Sequence, residues 1–167
     1  MKKTILNSRH KNLDAKLVDF AGWEMPINYP AGIIKESSFV RESCGMFDVS
    51  HMGRVEVSGK NAKSFIEKIL PIDVNLLQIG SAKYTLLINE KKEILDDLII
   101  YKISEDKYLL VINASNTDED LEWITKVNDD VTINNTTSYT SMIAVQGPEA
   151  LDKINFLSNN SIKDLGR

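Results

Sequence analysis

The chain has 167 residues, 43% of them apolar and 26% charged, which fits the usual span of about 100–200 residues for one compact domain with a sizeable core. A net charge of −4 and a pI near 5.2 argue against a nucleic-acid groove or an anionic membrane surface as partner. Cys44 is the single cysteine and has no internal disulfide partner, and His10 and His51 form no spaced ligand cluster, so a reducing compartment is expected and a metal is not.

Lys2 and Lys3 are soon followed by polar residues, with no apolar stretch of signal-peptide length. No run approaches the roughly 20 apolar residues that cross a bilayer. A cytoplasmic protein without membrane contact is the expectation. The absence of repeats and of Pro-, Gly- or Ser-rich linkers argues for one folded unit over residues 1–167.

In chain order, Pro26 and Pro30 bracket an extended or turning segment, because proline disfavours helix in the residue before it. A short helix from about Ile34 to Ser43 should end at Gly45. The alternation over Arg54–Ser58 has the two-residue period of a half-buried strand. Ala62, Phe65, Ile66, Ile69 and Leu70 then mark one helical face, stopped by Pro71. Tyr84–Ile88 and Leu98–Tyr101 flank a polar turn at Glu90–Glu93 and predict a hairpin.

Tyr108–Ile112 is a further strand, after which Thr117 supplies a capping residue and Asp118–Asp120 early acidic residues for a helix with Leu121, Ile124 and Val127 inward. Strands near Val131–Ile133 and Met142–Val145 follow, and Gly147-Pro148 opens a last helix with Leu151, Ile154 and Leu157 inward. The order implies an α+β fold, helices packed on a largely antiparallel sheet. Leu165-Gly166-Arg167 brings no closing strand, and an interrupted chain is the expectation there.

Asp96-Asp97, directly before the apolar run from Leu98 to Tyr101, is the most informative local feature. In a strand the two side chains point to opposite faces, one to solvent and one to a packed or ligand-binding side. A buried carboxylate needs donors opposite it, from the protein or from a ligand rich in N–H groups. The plainer alternative puts both aspartates in the hairpin turn, bonding backbone amides. Asp48, Ser50 and His51 combine carboxylate, hydroxyl and imidazole, but triad members come from distant segments, and His51 is read as a structural residue. Asn113–Asn116 offers amides and a hydroxyl at a strand end, or plain helix capping. Phosphate-cradling glycine motifs do not occur.

Together, Val18–Pro26, Gly45–Met52, Ile94–Tyr101, Val111–Asn116 and Met142–Pro148 resemble, in order and spacing, the aminomethyltransferase (T-protein) of the glycine cleavage system. The resemblance implies the N-terminal part of that family's folate-binding fold, which closes three domains around a central channel. It implies tetrahydrofolate as substrate and the lipoylated H-protein as partner, with an aminomethyl group on the lipoyl arm giving up ammonia and passing its carbon to the folate. By the same resemblance Asp97 is the catalytic, folate-facing carboxylate, and Met52, Tyr84, Ile99 and Asn113 line the folate pocket with it.

Against the family pattern, Thr4-Ile5-Leu6-Asn7 lacks a proline and an aromatic residue, and Lys92-Glu93 replaces a glycine pair in the hairpin turn. Family members are about twice as long, so a complementary C-terminal half is a further expected partner, and apolar surface meant for burial should be exposed without it. Competing expectations are a folate-binding accessory module without transferase activity, the folate domain of a sarcosine or dimethylglycine dehydrogenase, and a non-catalytic chain that pairs with a separately encoded second half.

Overall fold

The computed structural model describes residues 1–128 and 130–158. The first elements are α1 (Asn7–Asn12), β1 (Lys16–Phe20), β2 (Trp23–Asn28), α2 (Ile33–Glu42), β3 (Gly45–Asp48), β4 (Gly53–Ser58) and α3 (Ala62–Ile69). Then come β5 (Ala82–Ile88), β6 (Ile94–Ser104), β7 (Lys107–Ile112), α4 (Thr117–Lys126), β8 (Thr132–Asn135), β9 (Ile143–Gln146) and α5 (Ala150–Leu157). Every pairing between these strands is antiparallel, and the mixture of sheets and packed helices is the α+β class. Two compact units result, one running from Met52 to Thr140 and the other made of Met1–His51 with the returning segment from Ser141.

The Met52–Thr140 unit is a five-stranded sheet in the order β5-β6-β7-β4-β8. Ala62, Phe65, Ile66 and Ile69 on α3 are all buried, as their one-face spacing requires. The helix ends because Leu70, held before Pro71, turns extended at φ −123° and ψ 137°. With Ile124 of α4 and Val127 just after it, these residues cover Val55, Val57, Leu87, Leu98, Ile100, Tyr108, Leu110 and Ile112 of the sheet. Each fully buried Leu or Ile contributes about 1.5–3 kcal/mol through removal of apolar surface from water.

The helix α4 is not capped by Thr117. Its N-cap is Asn116, whose side chain makes no capping bond to the helix, and the Thr117 hydroxyl instead donates back to the Asn113 carbonyl at 2.9 Å. At the β5–β6 turn Lys92 takes the left-handed conformation at φ 67°, so lysine occupies backbone space that a glycine would enter without strain. Asn89 holds that turn, its side-chain oxygen accepting the Lys91 and Glu93 amides at 2.9 and 3.0 Å.

In the other unit β1 and β2 form a hairpin whose turn residues, Ala21 and Gly22, both have positive φ, the geometry that matches the twist of paired strands. Pro26 lies inside β2. The helix α2 ends at Ser43 rather than at a glycine cap, and Gly45 begins β3. Its lack of a side chain serves packing, since a Cβ there would meet Val40 Cγ2 at 2.4 Å. Strand β9 returns to pair with β3 in the register Gly45↔Gln146 to Asp48↔Ile143. Gly147 follows at φ +125°, and a Cβ there would lie 2.4 Å from the Ser43 carbonyl oxygen and 2.5 Å from that of Val40.

On α5 the expected inward face is only partly realised. Leu151 is 51% and Leu157 75% exposed, and Ile154 alone of the three is half-buried. Three-residue spacing identifies a helix face, but burial also needs an element over it, and the described residues leave this face open.

Candidate functional site

Asp96 and Asp97 lie in β6, paired with Leu87 and Leu86 of β5, and not in the turn. Strand alternation sends Asp96 to the packed face with Leu98 and Ile100, where it is 8% exposed. Asp97 takes the other face with Ile99 and Tyr101, which is only partly covered.

The cross-strand register brings together the residues implied by the resemblance. Tyr84 of β5 pairs with Ile99, and Ile99 with Val111 of β7, which itself pairs with Arg54 of β4. Continuing the same register by one residue places Asp97 opposite Asn113, and Asn113 opposite Met52. Leu86 and Asp97 are cross-strand neighbours, Asn113 and Met52 stand one residue past the ends of β7 and β4 beside them, and Tyr84, Ile99, Val111 and Arg54 form the adjacent row on the same face as Asp97. Neighbouring strands stand about 4.8 Å apart, so a flat ligand of a few fused rings spans these rows.

Tyr84 is 63% and Ile99 37% exposed, an aromatic and an aliphatic surface beside a carboxylate. The Tyr84 phenol stands beside Asp97, and the carboxylate's pull on the phenolic proton, desolvation and the negative charges of Asp97 and Asp96 push its pKa up. Asn113 fixes the carboxylates from the strand end. Its amide nitrogen donates to Asp96 Oδ1 at 3.0 Å, to the Asp97 carbonyl at 3.0 Å and to Asp97 Oδ1 at 3.3 Å. Arg54, which alternation alone would turn to solvent, is 3% exposed. Its guanidinium donates to Thr137 and Thr140 and so ties the segment after β8 to this face.

A residue that sequence reasoning left in a helix start lies directly behind the site. Asp120 of α4 is 4% exposed and meets Asp96. Desolvation, the contact with Asp96 and the charges of Asp96 and Glu119 push its pKa up to about 8. Burial also works against ionisation of Asp96, but bonds from Asn113, Asp120, the Asp97 amide and Asn116 hold its pKa below the ordinary value. Asp96 is therefore the anion of the pair and Asp120 the neutral acid. No local motif signals this, since Asp118 and Glu119 share the same helix-start pattern.

Of the trio Asp48, Ser50 and His51, Asp48 finds an imidazole on another element. Asp48 accepts from the Thr4 hydroxyl at 2.6 Å, from His10 Nε2 at 2.9 Å and from the Ser50 amide at 3.0 Å. Ser50 bonds the Met142 backbone, and His51 packs edge-on against Phe20 with centroids 5.5 Å apart. His10, remote in sequence, is the imidazole partner of Asp48, and its Nδ1 lies 2.8 Å from the Tyr29 hydroxyl. A concavity of about 510 Å³ along α5, lined by Glu149, Asp152, Lys153, Phe156 and Leu157, contains none of the expected site residues. Among the described residues no three of His, Cys, Asp or Glu are grouped as metal ligands, and no helix is long and apolar enough to cross a membrane.

Comparison with known proteins agrees with this architecture. An aminomethyltransferase from Chloroherpeton thalassium is 45% identical over 98% of the chain, and one from Thermotoga petrophila 46% identical over 99%. In both cases the match covers 46% of the relative, so the chain spans about half the length of the curated relatives it matches. The crystal structure of the glycine cleavage system aminomethyltransferase T from Bartonella henselae superposes with a TM-score of 0.90 at 35% identity, over 98% of this chain and 45% of that one. The family model described as the GCVT N-terminal domain matches residues 6–165, and the chain belongs to that family.

Proposed function

We propose that the chain is the N-terminal portion of a glycine-cleavage aminomethyltransferase and that the face carrying Asp97 binds tetrahydrofolate. The observation that supports this reading is that Tyr84, Asp97 and Ile99 share one sheet face, with Asn113 bonded to Asp97 and Met52 just ahead of β4 at the same end of the sheet. Tyr84, Ile99 and Met52 offer apolar and aromatic surface to a pterin, and Asp97 and Asn113 offer the few fixed polar groups that orient it.

In this reaction the aminomethyl group on the lipoyl arm of H-protein loses ammonia, its C–S bond breaks to leave the arm as the dithiol, and its carbon is bonded to N5 and N10 of tetrahydrofolate as 5,10-methylenetetrahydrofolate. The Asp97 carboxylate accepts pterin N–H groups and takes part in proton movement as N5 attacks the methylene carbon. Asn113 keeps that carboxylate aimed. The relatives' greater length makes a C-terminal half the expected partner of this chain, and the lipoylated H-protein the partner of the assembled enzyme.

Calorimetric titration with tetrahydrofolate, alone and with the C-terminal half of a relative added, tests the reading. Saturable binding that Asp97→Asn weakens about tenfold supports it, the loss expected from one hydrogen bond to a charged group. Equal binding by parent and variant, or none by either with the second half present, sinks it.

A further inference from the structure

Asp96 and Asp120 leave one oxygen each in an unusual position. Both Oδ2 atoms are fully buried, and neither accepts a hydrogen bond from a donor among the described residues. Two buried carboxylates in contact cannot both be ionised, because their repulsion adds to the cost of desolvation, whereas one proton between them satisfies both. The charges that act on Asp120 are Asp96 on β6 and Glu119 on its own helix, and the side chains of Asn113 and Asn116 lie against Asp96 from the β7–α4 connection. Asp96 in turn holds Asn113, the residue that bonds Asp97.

We infer that Asp120 is a positioning residue of this site: as a neutral carboxylic acid it donates its proton to Asp96, and the pair locks the Asn113 amide against Asp97. This deepens the folate reading of Asp97 and rests on it for the step to catalysis, while the lock itself is a property of the chain without ligand. Its loss leaves the Asn113 amide without a fixed acceptor on one side and lets the Asp97 carboxylate turn.

The side-chain amide resonances of Asn113, followed by NMR in the unliganded chain, provide a readout that a merely structural role would not move. In the parent they shift with a midpoint near pH 8, where Asp120 ionises. Asp120→Asn, which donates an N–H to Asp96 and carries no titrating proton, keeps the low-pH position at every pH. Asp120→Leu moves the resonances at all pH values. With tetrahydrofolate added, Asp120→Asn stays within about twofold of the parent and Asp120→Leu loses about tenfold, the equivalent of one lost hydrogen bond to a charged group. Resonances that ignore both pH and substitution overturn the lock. A parent whose Asn113 resonances behave as expected, but which binds no folate even beside a second half, refutes the folate reading and leaves the lock standing.

Discussion

Asp48 in one unit and Asp120 in the other are both shielded from water, the Asp48 side chain 1% exposed and Asp120 4%. Their surroundings differ in one respect: Asp48 is ringed by donors, and Asp120 faces another acid. Burial raises the pKa of Asp48, yet bonds from Ser50, Thr4 and His10 outweigh it and leave the value lowered. Around Asp120 every contribution points upward. Burial alone therefore does not decide the charge of a carboxyl, and the polarity of the few nearest groups does.

The sharpest way to break the contrast is Asp48→Ala. It strips His10 and Thr4 of their shared acceptor and should cost about 3–5 kcal/mol, the usual penalty for removing one partner of a buried pair. Urea unfolding checks this, and a loss below about 1 kcal/mol would show that the network contributes little.

Gly53→Ala attacks the other unit from its backbone. A Cβ there would lie 2.4 Å from Ile112 Cγ1 and 2.8 Å from Thr117 Oγ1. Overpacking of this kind costs about 1–3 kcal/mol. Because Thr117 bonds the Asn113 carbonyl, hydrogen exchange at the start of α4 should quicken more than at α3.

The third experiment sets the pH dependence of the two acids side by side. Asp120 has a folded pKa above its unfolded one, so its contribution is fully present below about pH 4 and is lost as the pH rises toward about 8. Asp48 has a folded pKa below its unfolded one, so its contribution is present above about pH 4 and disappears as the pH falls through the lowered value. Thermal melts of Asp120→Asn should therefore gain on the parent by about 1 kcal/mol or more between pH 5 and 8, the worth of one pKa unit. A constant difference across that interval would mean that Asp120 does not titrate there. The smallest effect belongs to Tyr84→Phe, which removes the phenol beside Asp97 at an exposed position and should leave the unfolding midpoint close to the parent's. Its signature is a weaker folate complex, measured by the same titration.

Much of the fold was legible because it rests on local periodicity. The i, i+3, i+4, i+7 spacing of Ala62, Phe65, Ile66 and Ile69 was enough for α3, and Pro71 for its end. The β1–β2 hairpin escaped notice because Pro26 suggested interruption, yet it sits inside a strand of a two-stranded sheet. Leu151 and Leu157 show the opposite failure, a helix correctly placed whose apolar face stays exposed.

By itself the sequence determined most of the strands and helices from Arg54 onward, the opposite facing that Asp96 and Asp97 take once they lie in a strand, and the resemblance that singled out Met52, Tyr84, Asp97, Ile99 and Asn113. These follow from spacing within a few residues or from whole motifs, both of which are written along the chain. Only the tertiary structure decided that Asp48 meets His10, 38 residues away, and that Asp120 meets Asp96. The charge of a buried acid is set by whichever donors or acids the fold brings to within hydrogen-bonding distance, and sequence separation carries no information about that distance.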